Sequence, residues 1–500
     1  MIRMNRNALT LTSLAMASAL VLSACGDEGA ATSDEELDTA AQTEETDAGD
    51  EDGAQEEDSE DERVEPSDRE THEAGGPTTR LAVTHDGGVA VLDGATLDVL
   101  GDFDAEGFVR VNSAGDGRHF FLSEGESFRL LDGGTWGAPH GEHNHYYTTD
   151  PLLTDITVDG PEPGHVVAHD GVGALFFDGN GEIHSYDLGS LDAESEIEAE
   201  VAETEEAHHG VAVVNADGSR FETLADRSGA RFLDADGEEV ARSEECPGVH
   251  GEAALPDHTI AVGCEDGVLL FDGEEFTKVE AGEDFARIGN LFPHDDSPVL
   301  LGDYLLDEDR EEPMTEVALV NSETEEIVLA DIDAAYNFRS LARGPEGEAL
   351  VIAEDGQLHV IDEETGEHID HLQIMDEWTE PEEWQEPRPA IRVVDDIAYI
   401  TEPDAQTIHM VDLNELEIIH EAELDFAPNE IAAVDGRPVE GVSDDFEGEH
   451  DGDEDDGDED DHEGHDHGDE DHGDEDDHDH DDDDDDHDDH DHDDEDDHDH

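Results

Sequence analysis

A single β-propeller of about eight four-stranded blades, with seven as the alternative, is the all-β fold that the sequence predicts. Three observations carry this expectation. A short strand ending apolar-x-Asp/Asn recurs eight times, as Val91-Leu92-Asp93, Leu130-Leu131-Asp132, Ser185-Tyr186-Asp187, Phe232-Leu233-Asp234, Leu270-Phe271-Asp272, Leu319-Val320-Asn321, Val360-Ile361-Asp362 and Met410-Val411-Asp412. Its mean period is about 46 residues, the length of one propeller blade. Between the copies lie turn clusters such as Ser113 to Gly117, Asn215 to Gly218 and Gly344 to Gly347, which break strands where a blade must reverse. Helix signals are almost absent, and even Leu191 to Glu206 is acidic, lacks an apolar stripe and reads as a surface loop. The third and sixth units are irregular, which keeps seven blades open.

The first unit, from Arg80, offers only three strands. The last apolar strand of the chain, Asn429 to Val434, is free to supply the fourth, pairing the two ends of the fold and removing exposed sheet edges.

The ends of the chain read differently. Arg3 and Arg6 form a basic n-region, Ala8 to Val21 an apolar h-region, and Leu22-Ser23-Ala24-Cys25 a lipobox. Residues 1–24 are expected to be a lipoprotein signal peptide and Cys25 the lipidated first residue, tethering the protein to the outer face of the cytoplasmic membrane. No other apolar run approaches the roughly 20 residues that a spanning helix requires. Residues 25–76 are rich in Asp, Glu, Ala, Thr and Gly and are expected to be a disordered acidic linker, with His72 incidental. The propeller is expected over 77–440.

Residues 441–500 form an Asp/Glu/His-rich tail, also expected to be disordered. Of the last fifty residues, thirty-four are Asp or Glu and eleven are His. Carboxylates alone suit calcium or magnesium, whereas repeated imidazoles favour zinc, copper or nickel. The candidate ligands are His462, His465, His467, His472, His478, His480, His487, His490, His492, His498 and His500, many at HxH and HxxH spacing. A purely solvating tail has no need of histidine.

The formal charge of −128, with Lys278 as the one lysine, suggests adaptation to high salt and argues against nucleic-acid binding. Once Cys25 carries lipid, Cys246 and Cys264 remain. Outside the cytoplasm they are expected to pair as a disulfide, and a hairpin centred on Leu255 sets them opposite each other. A zinc–thiolate pair is the alternative.

Histidines within the body cluster. His140-Gly-Glu142-His143-Asn-His145-Tyr-Tyr, expected in the loop between the second and third units, offers three imidazoles and a carboxylate to one ion, and zinc requires three or four such groups. His208, His209 and His250 fall at the expected starts of innermost strands about one blade apart, with Arg287 and Arg339 at analogous places further on. A channel mouth with histidines on one side and arginines on the other suits a metal, an anion, or both. His165 and His169 share a strand face and are expected to be mainly structural. No G-x-S-x-G elbow, H-E-x-x-H helix or Walker loop is present, so no catalytic residue is assigned.

The lipobox, the propeller repeats, the His140 to Tyr147 segment, His208-His209-Gly210-Val, Cys246-Pro-Gly-Val-His250-Gly-Glu and Arg339-Ser-Leu-Ala-Arg-Gly-Pro together resemble bacterial zinc metallochaperones of the AztD type, over roughly residues 78 to 435. The resemblance implies a periplasmic or cell-surface Zn2+-binding propeller, not an enzyme. It would pass zinc to the solute-binding protein of a zinc ABC transporter and work as a monomer. It also implies that His140, His143 and His145 share one zinc site, with His208, His209 and His250 as further candidates. The acidic tail is not part of that pattern. Two other readings stand beside it: a metal-dependent propeller lyase or oxidoreductase, and a surface interaction propeller with a solvating tail.

Overall fold

The computed structural model describes residues 66–439 except 142, 284 and 309–311. The lipobox, the linker up to residue 65 and the His-rich tail lie outside the described residues. Among the described residues the regular structure is strand, with two short 3-10 turns, and no helix is long and apolar enough to cross a membrane.

Eight four-stranded antiparallel blades follow one another along the chain. Six form separate sheets. The sixth and seventh are fused through the 18-residue strand Glu326–Arg343, whose first half pairs with Met314–Asn321 and whose second half pairs with Ala349–Ala353. That shared strand accounts for the irregular sixth unit. The first blade is completed by Ile431–Val434, which lies antiparallel to Arg80–His85 in the register Arg80↔Val434 to Val83↔Ile431. The ends of the fold are thereby joined by backbone hydrogen bonds, which cover the inner edge of Arg80–His85.

All eight copies of the apolar-x-Asp/Asn motif fall on the third strand of their blades or just after it. The acid has a local reason. In each copy its Oδ1 accepts hydrogen bonds from backbone N–H groups two to four residues on: Asp93 from Ala95 and Thr96, Asp132 from Gly134, Asp187 from Gly189, Asp234 from Asp236 and Glu238. Asp272, Asn321, Asp362 and Asp412 do the same for the two residues beginning two positions later. Such Asx turns satisfy the donors left over where the third strand reverses into the fourth. The sequence repeat is therefore a repeated turn.

The core is eight apolar layers, one between each pair of neighbouring blades, rather than one central cluster. Successive strand residues point to opposite faces, so Leu81 and Val83 join the layer against the eighth blade while Ala82 joins that against the second. Strands buried on both faces must be apolar at nearly every position, as Leu81-Ala-Val and Ile260-Ala-Val are.

Two details differ from the sequence-based expectation. His72–Ala74, inside the stretch expected to be linker, is a strand paired with His143–Thr148. The hairpin after Cys246 has the register Glu252↔Val262 and Ala254↔Ile260, centring it near Asp257 instead of Leu255. Cys246 and Cys264 are still joined, with Cα atoms 4.9 Å apart, although Cys246 lies before the strand His250–Ala254 and outside its register. Neither sulfur is then available as a thiolate ligand.

Candidate metal centres

Thr135–His140 and His143–Thr148 form a hairpin turning at Gly141, whose φ of 64° suits glycine. His140 sits directly opposite His143, and His145 is two positions along. Cross-strand partners share a face and so do residues i and i+2, so all three imidazoles project the same way. His140 Nδ1 lies 3.1 Å from His145 Nε2, and His143 Nε2 lies 3.3 Å from the same atom. Ligand nitrogens at about 2.05 Å around a tetrahedral zinc are separated by about 3.3 Å. The spacing therefore suits one ion. Glu73, brought alongside by the His72–Ala74 strand, places Oε1 3.6 Å from His145 Nδ1. Glu142 lies outside the described residues.

This hairpin is not the link between the second and third blades. It is an insertion within the second, between Ser127–Asp132 and the fourth strand Leu152–Asp159. It is held down by Trp136, which stacks on Tyr147 at 5.5 Å and carries the Arg118 guanidinium 4.4 Å from its ring. The three histidines stand clear at its tip.

The first strands of all eight blades surround one channel cavity of about 340 Å³. On one side, consecutive third, fourth and fifth blades present His165, His209 and His250, with ring centroids 5.1–5.9 Å apart and one ligand nitrogen from each within 4.8 Å of the others. Each ring is held through Nδ1. That atom lies 3.2 Å from Glu252 Oε2 in His165, 2.6 Å from Asp178 Oδ2 in His209 and 2.6 Å from the Gly289 carbonyl in His250. An oxygen acceptor at Nδ1 fixes the proton there, which leaves Nε2 of each ring as the lone-pair donor. Burial, together with the charges of His165, Arg287 and His209 and against the Gly289 hydrogen bond, brings His250 down to about 3. In His165 burial also opposes the charged form, but Glu252 and then Asp178 outweigh it and raise the ring above its ordinary value.

His208 is not part of this group. It is buried, its Nδ1 bonds the Glu206 carbonyl at 2.9 Å, its Nε2 lies 3.0 Å from Thr223 Oγ1, and its ring meets Phe176 edge-on. Both nitrogens are committed. His209 lines the channel, whereas His208, adjacent in sequence, is turned into the blade. His165, expected to be structural, takes its place. The sequence did contain a signal, because His165, His209 and His250 succeed one another at about the blade period. His169 sits about 13 Å further along the strand, edge-on to His258 at 5.4 Å.

The opposite side of the channel carries Arg110, Arg339 and Arg392 with Glu430. Glu430 Oε1 is 2.9 Å from Arg339 and 3.1 Å from Arg110. Arg287, expected to face the channel like Arg339, forms a backbone bridge with Leu305 and is not among the residues lining the cavity.

No protein-family profile matches the chain. The chain is similar to the zinc chaperone AztD of Citrobacter koseri, with 27% identity over 391 residues, covering 73% of this chain and 88% of AztD. A solved structure of Citrobacter koseri AztD superposes with a TM-score of 0.63 at 25% identity, covering 73% of this chain and 99% of that one. Its apo form gives 0.62 at 24% identity, over 72% and 98%. These comparisons establish the resemblance to AztD-type zinc chaperones that the histidine motifs carry.

Proposed function

We propose that this relative of the AztD-type zinc chaperones is an extracytoplasmic metal-delivery protein, not an enzyme. It would be tethered through a lipid on Cys25 and would hand Zn2+ to the solute-binding protein of a zinc ABC transporter. The observation that carries this reading is the channel trio. Three histidines from three consecutive blades converge with Nδ1 of each held against an oxygen, so that three imidazoles are oriented before the metal arrives. Zinc binds neutral imidazole at tetrahedral sites, and here the protein leaves room in the channel for a further ligand.

The two trios divide the work. The hairpin site, exposed and formed by adjacent strands, captures zinc and presents it to a partner. The channel site, half-buried and braced from behind, holds it more tightly. Cargo passes by ligand exchange, with each leaving imidazole replaced by one from the acceptor, so that zinc is never released as the aquo ion. The tail histidines from His462 to His500 add many weak sites that raise the local zinc concentration. Their occupancy falls as pH drops through about 6.5, where imidazole protonates.

The test is zinc stoichiometry and affinity by competition with a chelating dye at pH 7.5, for mature protein with and without residues 441–500. This is followed by mixing the loaded protein with a zinc-free solute-binding protein. Two tight equivalents are expected to survive removal of the tail and to move to the acceptor faster than a chelator captures them. Loss of all binding with the tail would end this account.

A further inference from the structure

Arginine and lysine together number 20 in this chain, against 148 acidic residues. Three of these scarce cations, Arg110, Arg339 and Arg392, converge on one cavity from the second, seventh and eighth blades. They share one carboxylate, Glu430, which engages Arg110 and Arg339. The cavity's other acid, Glu252, is committed to His165. Arg392 pairs with no carboxylate among the described residues, and Nη1 bonds the carbonyl of its own neighbour Ile391. Arg339 is buried and its Nε has no hydrogen-bond partner. Burial and the nearby charges of Arg388, Arg110 and Arg392 bring Arg339 down to about 10 despite Glu430. Burial and Arg110 likewise lower Arg392. Positive charge is concentrated here beyond what the protein's own acids neutralise. Leaving buried donors without an acceptor costs about 1–3 kcal/mol each.

We propose that the arginine side of the channel is a binding site for a small carboxylate-class anion, which sits beside the zinc position and shares the cavity with it. Guanidinium groups recognise carboxylates through paired, planar N–H donors; Arg392 has such donors to offer, while Arg339, tied to Asn429, the Trp384 carbonyl and Glu430, adds positive charge beside it. The anion offsets the surplus charge that zinc would otherwise meet from Arg110, whose influence already reaches His165. Anion and metal therefore bind with positive coupling, and the coupling is reciprocal. The anion site stands on the arginines alone, while its coupling to metal rests on the zinc reading of the same channel.

The probe is 13C-formate, titrated by NMR into the full mature protein at low chloride, with Arg392→Gln and Arg110→Gln as variants whose folding is checked by circular dichroism. Saturable broadening of the formate line is expected for the zinc-free protein, weakened about tenfold or more in either variant and competed by chloride. One zinc equivalent is expected to tighten formate binding in the parent but not in His209→Ala. Absence of saturable broadening, or binding by both folded variants as tight as the parent's, overturns the anion site. Formate binding that zinc leaves unchanged overturns the coupling, and whether His209→Ala loses a zinc equivalent then tells separately whether the channel holds zinc. A zinc affinity that rises in Arg392→Gln without any dependence on formate would assign the arginines to metal repulsion and overturn the proposal.

Discussion

Asp178 Oδ2 lies 2.6 Å from Nδ1 of His209, which makes a carboxylate at the end of one blade the orienting partner of a channel imidazole on the next. Outer partners of this kind fix the tautomer and raise the basicity of the ligand nitrogen. Asp178→Ala is expected to weaken channel zinc by roughly 10–100-fold while leaving hairpin zinc unchanged, measured by dye competition.

His165 and His208 make a discriminating pair. His165→Ala removes a ligand and is expected to cost more affinity than the roughly 10–100-fold of an outer partner. His208→Ala leaves the channel rings in place but empties the buried space beside Phe176 and removes the ring's bonds to Thr223 and the Glu206 carbonyl. It is expected to lower stability by about 1–3 kcal/mol with little change in zinc affinity. The two variants are compared by urea unfolding and zinc competition on the same preparations.

The hairpin is expected to lose one zinc equivalent in His143→Ala, with the channel equivalent retained. Glu73→Gln is expected to weaken the hairpin site by less, since Glu73 lies 3.6 Å from His145 across an exposed surface and such pairs contribute about 0–1 kcal/mol. Stoichiometry by mass spectrometry of the tail-free protein under non-denaturing conditions reads both.

Acid stability follows from Asp132, which is buried and held by Arg118 at 2.7–2.9 Å and by Arg69 at 2.7 Å. Burial favours its neutral form, but the hydrogen bonds and charge of Arg118, with His119 and Arg69, outweigh it and hold the carboxyl well below the usual carboxylate range. A carboxyl depressed in the folded state stabilises fully above its unfolded pKa of about 3.9 and loses that stability as pH falls towards the folded value. Asp132→Asn is therefore expected to flatten the loss of stability below about pH 4, and Asp132→Ala to cost about 3–5 kcal/mol at pH 7 by leaving two half-buried guanidiniums without their shared carboxylate. Urea midpoints from pH 2 to 7 check both.

Ring closure depends on Ile431, which packs against the first and eighth blades. Ile431→Ala is expected to cost about 2–5 kcal/mol in a single cooperative transition, measured by thermal unfolding.

The sequence by itself determined the repeat, the all-β class and the closing strand. These are written locally: short apolar runs between turn clusters make strands, and the Asp or Asn that ends each copy builds its own Asx turn within four residues. The hairpin trio was legible for the same reason, since His140, His143 and His145 meet through one turn. Only the tertiary structure decided the channel trio. His165, His209 and His250 are separated by whole blades, and whether a histidine faces the channel or the sheet depends on which way a single residue points. His208 and His209, adjacent in sequence, face opposite ways, and His165 joins the channel rings at the blade period. The strand from His72 to Ala74 was likewise set by a partner far along the chain. Local chemistry specifies elements, whereas a site built from eight strands exists only once the ring has closed and fixed where each strand begins.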